Sequence, residues 1–350
     1  MSVSVLPLAA QQPPAKPQPA TQSNTQQQAA PLTVDTDPVR SPDAELGPAT
    51  QEGNPLTKEG KGYVYRADVE EVVLNATVLD GTRIVQDLTK NDFEVYEDGV
   101  KQNIVSFQHT DLPVSIALVI DNSGSMAKKR PAVNKSALDL IAASNPQDEA
   151  FVVNFSDEAF IDQDFTKSIA KLRDGLSHIE SRGGTALYDA VVASADKLVA
   201  DGKNPKQVLI LITDGEDNAS TLTLEQTIRR VQQLSGPVIY SIGLLFGDEM
   251  SRGEVRHARR ALEMLSNETG GIAYFPKNVE QVDEIAGEVA RDIRSQYTIG
   301  YRSSKPSSVP GFRRVELVAR GKGMGKLTVR TRTGYFPSPR TPKKTKSAQQ

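Results

Sequence analysis

Three oxygen-bearing side chains stand on alternate residues in Asp121-Asn122-Ser123-Gly124-Ser125, directly after the apolar run Val114-Ser-Ile-Ala-Leu-Val-Ile120. In a near-extended loop, residues two apart point to the same side, so one carboxylate and two hydroxyls would converge. Hard oxygens gathered by one tight turn favour a hard cation such as Mg²⁺ or Ca²⁺, and Gly124 lets the backbone bend close to it. The string by itself fits ordinary turn chemistry equally well, with Asp121 or Ser123 capping the helix that follows.

Two further segments carry chemistry of the same kind. Gly183-Gly184-Thr185 places a hydroxyl after a flexible pair and before a helical pattern. Val208-Leu-Ile-Leu-Ile212-Thr213-Asp214-Gly215 is a second buried-strand run that ends in a carboxylate. Taken together, Asp121, Ser123, Ser125, Thr185 and Asp214 resemble the complete metal-ion-dependent adhesion site of von Willebrand factor type A domains, in that family's order. The resemblance implies that the hydroxyls of Ser123, Ser125 and Thr185 coordinate Mg²⁺, with Mn²⁺ or Ca²⁺ as alternatives. It implies that Asp121 and Asp214 act directly or through water, and that one position is left for an Asp or Glu carboxylate of a partner protein. Neutral hydroxyls leave such an ion under-neutralised, so an incoming carboxylate gains a strong charge interaction. The implied function is non-catalytic, divalent-metal-dependent protein binding, in adhesion or complex assembly.

These residues need a scaffold that delivers strand ends to one edge. Apolar runs at 114–120, 150–155, 208–212, 238–242 and 272–275 alternate with helical patterns over 128–143, 169–179, 187–198, 223–234, 254–267 and 279–293. That alternation predicts a doubly wound α/β fold, a mainly parallel sheet with helices on both faces, and the resemblance makes it a Rossmann-like von Willebrand A domain over 110–295. Ligands of such sheets bind beyond the carboxyl ends of the strands, where Asp121 and Asp214 fall. Flanking it, 61–109 and 296–337 read as β segments. The first has an Asp98-Gly99 hairpin turn, and neither is large enough to fold alone, so they are expected to pack together as one β unit. Leu88–Gly99 also resembles the opening segment of a bacterial subgroup of von Willebrand A-related proteins that are predicted to be exported. Residues 1–60 are rich in Pro, Gln and Ala and read as a disordered tail, and 338–350 as a basic disordered one. Ser2–Ala10 reads as a truncated secretory signal or simply part of that tail. The expected location is therefore extracytoplasmic (periplasmic or secreted), with the cytoplasm as the alternative.

Composition narrows the remaining classes. The chain has 350 residues, a net charge of -3, 38% hydrophobic residues and no Cys, so a sizeable core is available but no disulfide and no thiolate metal site. No apolar stretch reaches the roughly 18 residues of a transmembrane helix. Aromatic residues are 5% and no basic stripe interleaves with them, which argues against nucleic acid. No phosphate loop of the G-x-x-x-x-G-K-[ST] type occurs. Ser123 could be cast as a hydrolytic nucleophile, but no His or Lys is placed by sequence to activate it. The competing readings are an accessory subunit of a bacterial AAA-type ATPase complex and, more remotely, a metal-dependent hydrolase. Of the nearby polar residues, Glu216 and Asp217 are read as solvating their loop rather than tuning an ion or binding a second one. Asn122 and Gly215 are read as shaping loops, Asp189 as supporting the Thr185 loop, and His109, His178 and His257 as structural or surface groups.

Overall fold

The structure, a computed structural model, describes residues 71–337 apart from 144, 178–180, 235 and 247–249, together with the backbone of four short upstream strands. Those strands are β1 (Leu32–Val34), β2 (Pro38–Val39), β3 (Thr57–Glu59) and β4 (Gly62–Val64). The chain continues through β5 (Glu71–Asp80), β6 (Arg83–Ile84), β7 (Phe93–Glu97), β8 (Val100–Gln108), β9 (Val114–Asp121), α1 (Arg130–Ala142), β10 (Glu149–Phe155), β11 (Ala159–Thr166), α2 (Ile169–Ser177) and α3 (Leu187–Asp201). It then forms β12 (Lys206–Thr213), α4 (Leu224–Leu234), β13 (Val238–Gly243), α5 (Arg252–Thr269), β14 (Ala273–Tyr274), α6 (Gln281–Arg294), β15 (Tyr297–Arg302), β16 (Arg313–Ala319), β17 (Thr328–Arg330) and β18 (Gly334–Tyr335).

The first sheet has the order β14-β13-β12-β9-β10-β11-β1-β2, and its central strands run parallel. Every residue of β9 is buried, because helices cover both faces of the sheet. Alternate side chains divide between two cores. Ile116, Leu118 and Ile120 pack with Val133 and Leu140 of α1 and Val289 of α6. Ala117 and Val119 pack with Val191 and Leu198 of α3 and Leu265 of α5. Each fully buried Val, Leu or Ile contributes about 1.5–3 kcal/mol, so the strand is pinned from both sides. The parallel α/β architecture is the one the alternating pattern predicts.

Two parts of this sheet depart from the sequence reading. β11 is an antiparallel strand beside β10 that the apolar pattern did not reveal. Only Ala159 and Ile161 are buried there, and Asp162, Gln163 and Asp164 hide the alternation. Beyond it, β1 joins β11 in parallel, although it lies in the stretch read as a structureless tail. A short extended run can supply backbone hydrogen bonds to an open edge without burying much apolar surface. The expected signal remnant and the basic tail lie outside the described residues.

The second sheet is antiparallel and has the order β17-β5-β15-β8-β7-β16-β18. It interleaves strands from before and after the α/β unit, with β15 between β5 and β8. Asp98 (φ 49°) and Gly99 (φ 79°) form the β7–β8 turn in the left-handed conformation a two-residue hairpin requires. Beside that turn the fully buried Glu97 carboxylate accepts hydrogen bonds from Tyr301 (2.8 Å), Tyr335 (3.0 Å) and Ser303 (2.7 Å).

The two units meet below the strand starts of the first sheet. Asp292 of α6 accepts from Tyr240 of β13 (2.6 Å) and from Arg330 of β17 (2.5 Å). Lys206, at the start of β12, donates to the Ile293 carbonyl at 3.1 Å, and burial lowers its ammonium pKa to about 8. A base depressed in the folded state binds fewer protons there than in the unfolded chain, so stability rises with pH between about 8 and the unfolded value. Lys206→Met is therefore expected to be more stable than the wild type at pH 7, with the gap narrowing as pH rises from 8 towards 10. Urea unfolding across that range checks it, and a pH-independent gap would refute it.

Candidate functional site

The register of β9 and β12 pairs Ile120 with Ile212, which brings Thr213 alongside Asp121 at the sheet's carboxyl edge. There the Thr213 hydroxyl donates to Asp121 Oδ2 at 2.5 Å, while the Ser123 amide donates to Asp121 Oδ1 at 2.7 Å. Asp121 is fully buried. Burial pushes its carboxyl above the usual carboxylate range, the Thr213 and Ser123 donors pull it back, and the neighbouring Asp214 adds to the upward push. A short helical turn over Gly124–Lys128 carries the chain from the loop into α1. Its buried Met126 seats this turn in the core.

Asp214 closes the other side. Its Oδ1 accepts from the Ser125 hydroxyl at 2.8 Å, and the Ser123 and Ser125 hydroxyls lie 3.1 Å apart. Its Oδ2 lies 2.5 Å from Lys129 Nζ, in a pair whose side chains are only 12% and 0% exposed. Thr185 reaches the same place from a third loop. A Cβ added at Gly215 would lie 3.4 Å from Thr185 Oγ1 and 3.9 Å from Asp121 Oδ2, so the bare glycine leaves room between the two oxygens. The structure thus brings Asp121, Ser123, Ser125, Thr185 and Asp214 to one edge, at a cleft of about 290 Å³. Among the described residues no three His, Cys, Asp or Glu side chains form a metal cage; the oxygens here are two carboxylates with hydroxyls.

The Thr185 loop is held by the loop that follows β12. Thr185 N donates to Asn218 Oδ1 (2.9 Å), and its carbonyl accepts from the amides of Asn218 (3.0 Å) and Ala219 (3.3 Å). Gly183 takes φ 81°, and a Cβ on it would collide with Asp157. Asp157 Oδ1 in turn accepts from the Gly184 amide at 2.8 Å.

Several neighbouring residues behave differently from their sequence reading. Asp217 does not merely solvate its loop. It accepts from the Tyr188 amide (3.2 Å) and the Ser220 hydroxyl (2.5 Å) at the start of α3, where a carboxylate meets unpaired helical amides. Burial raises its pKa against those hydrogen bonds. Asp189 supports the loop after β12 rather than the Thr185 loop, accepting from Thr221 N (2.9 Å) and Leu222 N (3.1 Å). Glu216 faces His257 at 3.2 Å. Asn122 ties its loop to β10 through Phe155 O (2.7 Å) and to Ser181 (3.0 Å). His109 stacks on Tyr297 with ring centroids 4.2 Å apart, and His178 lies outside the described residues.

Sequence reasoning missed three residues that complete the site. Thr213 was passed over as the last letter of an apolar strand. Lys129 and Arg130 lie at the start of the helical pattern over 128–143, where nothing in that pattern singles them out. Arg130 is buried, donating to Asp121 O (3.1 Å) and Asn154 Oδ1 (2.7 Å), with burial lowering its pKa to about 10. A cation eight or nine residues after a buried strand-end carboxylate, one helical turn into the next element, was the available signal.

Comparison with known proteins bears on the same residues. Residues 116–216 match the sequence profile of the von Willebrand factor type A domain. Human inter-alpha-trypsin inhibitor heavy chain H6 is 24% identical over 243 residues, covering 62% of this chain and 18% of that protein. Human inter-alpha-trypsin inhibitor heavy chain H4 is 25% identical over 237 residues, covering 61% and 24%. The chain thus spans a quarter or less of the length of these relatives. Among solved structures, von Willebrand factor type A from Catenulispora acidiphila superposes with a TM-score of 0.46 at 14% identity, covering 76% of this chain and 73% of that one.

The Thr213 hydroxyl both donates to Asp121 and accepts from the Gly215 amide (3.2 Å). Thr213→Val keeps the shape and removes both bonds, and is expected to cost about 1–3 kcal/mol in urea unfolding. Thr213→Ser should recover most of that. A neutral Val variant would show that Asp121 does not depend on this donor.

Proposed function

We propose, from the premise that this chain carries a von Willebrand factor type A domain, that it is a non-catalytic protein-binding module whose grip depends on a divalent cation. The observation that carries this reading is the convergence of two buried carboxylates and three hydroxyls, from three separate loops, on one cleft edge. The donor set is all oxygen, which suits Mg²⁺ and, less selectively, Mn²⁺ or Ca²⁺. The space left by Gly215 between Thr185 and Asp121 supports the fit.

Ser123, Ser125 and Thr185 would hold the ion through their hydroxyls. Asp121, fixed by Thr213 and by the Ser123 amide, would lie behind them, with Asp214 opposite. A bound divalent cation would supply an electrophilic position for a carboxylate oxygen of a partner protein. The surrounding cleft offers Phe246 and Met250 as apolar contacts and Glu216 as a charged rim. A non-catalytic role is supported by the partners of the hydroxyls. Ser123 faces Ser125, Ser125 donates to Asp214, and Asp214 is itself held by Lys129, so among the described residues the carboxylate nearest a hydroxyl is already paired with a cation. The signal-like residues near the start support an extracytoplasmic setting, and no described helix is long and apolar enough to cross a membrane.

Thermal unfolding of the full chain in EDTA and then in Mg²⁺, Mn²⁺ or Ca²⁺ tests the reading. An ion that binds only the folded state at about 100 times its Kd adds about 2.7 kcal/mol of stability. The expected result is an ion-dependent rise in Tm that vanishes in Asp121→Ala, with partner capture that EDTA abolishes. An absent rise together with chelator-resistant capture overturns it.

A further inference from the structure

Lys129 stands between two possible resting places. Its ammonium touches Asp214 Oδ2 at 2.5 Å and lies 5.4 Å from the centre of the Phe246 ring. Both Asp214 oxygens are therefore engaged, Oδ1 by the Ser125 hydroxyl and Oδ2 by this cation. The next residue differs in kind. Arg130 is fixed in the interior by Asp121 O and Asn154, so its charge cannot leave. Lys129 is the first residue beyond the short turn, its flexible four-carbon stem ends at the cleft, and its side chain keeps 12% exposure. Of the two cations beside the carboxylates, only Lys129 can move out. The Phe246 face offers a displaced ammonium a favourable position without full rehydration.

We propose that Lys129 is a built-in counter-ion that occupies Asp214 in the ion-free protein and must be displaced before a divalent cation can use the site. The proposal rests on the metal-dependent reading above and adds what sets its affinity. A positive charge at salt-bridge distance from one of two carboxylates opposes a second, doubly charged cation in a poorly screened site. It also keeps Asp214 from standing as a bare buried charge when no ion is present. The consequence is a site that is stable when empty and binds its ion weakly until the lysine yields.

The test is calorimetric titration of Mn²⁺ into the full-length wild type, K129M and K129R at one pH and ionic strength. Removing the charge is expected to tighten Mn²⁺ binding by about tenfold or more, equivalent to about 1.4 kcal/mol per factor of ten. K129R, which retains the charge, should bind no more tightly than the wild type. Should K129M fail to fold, K129Q keeps a polar contact to Asp214 without the charge and carries the same expectation. Tight binding by the neutral variant with none by the wild type supports both the latch and the metal site. Equal or weaker binding by the neutral variant, with the wild type still binding, overturns the latch and leaves the metal site standing. Binding by none of the folded proteins removes the metal site, and the latch with it.

Discussion

Burying two carboxylates at the ends of adjacent parallel strands is costly, and the site's construction follows from offsetting that cost. Asp121 and Asp214 are 0% and 3% exposed; burial pushes the Asp121 carboxyl up most, and the nearby Asp214 adds to that push. Neither strand can retreat, because β9 and β12 lie between two cores to which six helices contribute apolar side chains. The offset has to come from donors at the strand ends themselves. Thr213 and the Ser123 amide supply it for Asp121, and Ser125 with Lys129 for Asp214. The Arg130 guanidinium sits behind them on the Asp121 carbonyl. The hydroxyls that serve here as hydrogen-bond donors are the same atoms whose lone pairs the proposed ion would use.

Loops that must bring oxygens together over a gap are poorly determined by local propensity, and here acidic side chains make one unit of them. Asn218 clamps the Thr185 backbone from both sides, Asp217 caps the start of α3, and Asp189 returns from α3 to hold Thr221 and Leu222. Each link joins the Thr185 loop or its helix to the loop after β12. Thr185 is consequently tied to the loop that carries Asp214. The carboxylates that surround the site owe their positions to backbone amides, which a carboxylate satisfies more strongly than a neutral group does.

Much of this was legible in the residue order, and the rest was not for physical reasons. The two buried strands announced themselves as continuous apolar runs, and an Asp at the end of each named the edge where chemistry collects. β11 was not visible because its outward positions are Asp162 and Asp164, and only Ala159 and Ile161 are buried. Lys129 went unremarked and Asp217 was read as solvated for a shared reason. A charge in a polar run looks solvated until its partner, 85 residues away for Lys129, is known. The order of the second sheet was equally out of reach. Alternation marks a strand and its inner face but carries nothing about which strand lies beside it, and here β15 from after the α/β unit separates β5 from β8.

The second sheet bears on the site through its position rather than through contact. Lys206 opens β12 at the joint between the units, and Asp214 follows the other end of that strand, eight residues on, so the joint and the site lie about 26 Å apart at 3.3 Å per residue. Two further ties, Arg330 to Asp292 and Thr333 to Glu268, fall at the C-terminal ends of α6 and α5, on the same side as Lys206. Glu254, at the start of α5, lies in the cleft at the opposite end of the sheet. The flanking sheet thus supports the strand starts and leaves the carboxyl edge open. The described residues that line the cleft all belong to the α/β unit, while the Glu97 network ties the segments before and after that unit into one sheet beneath it.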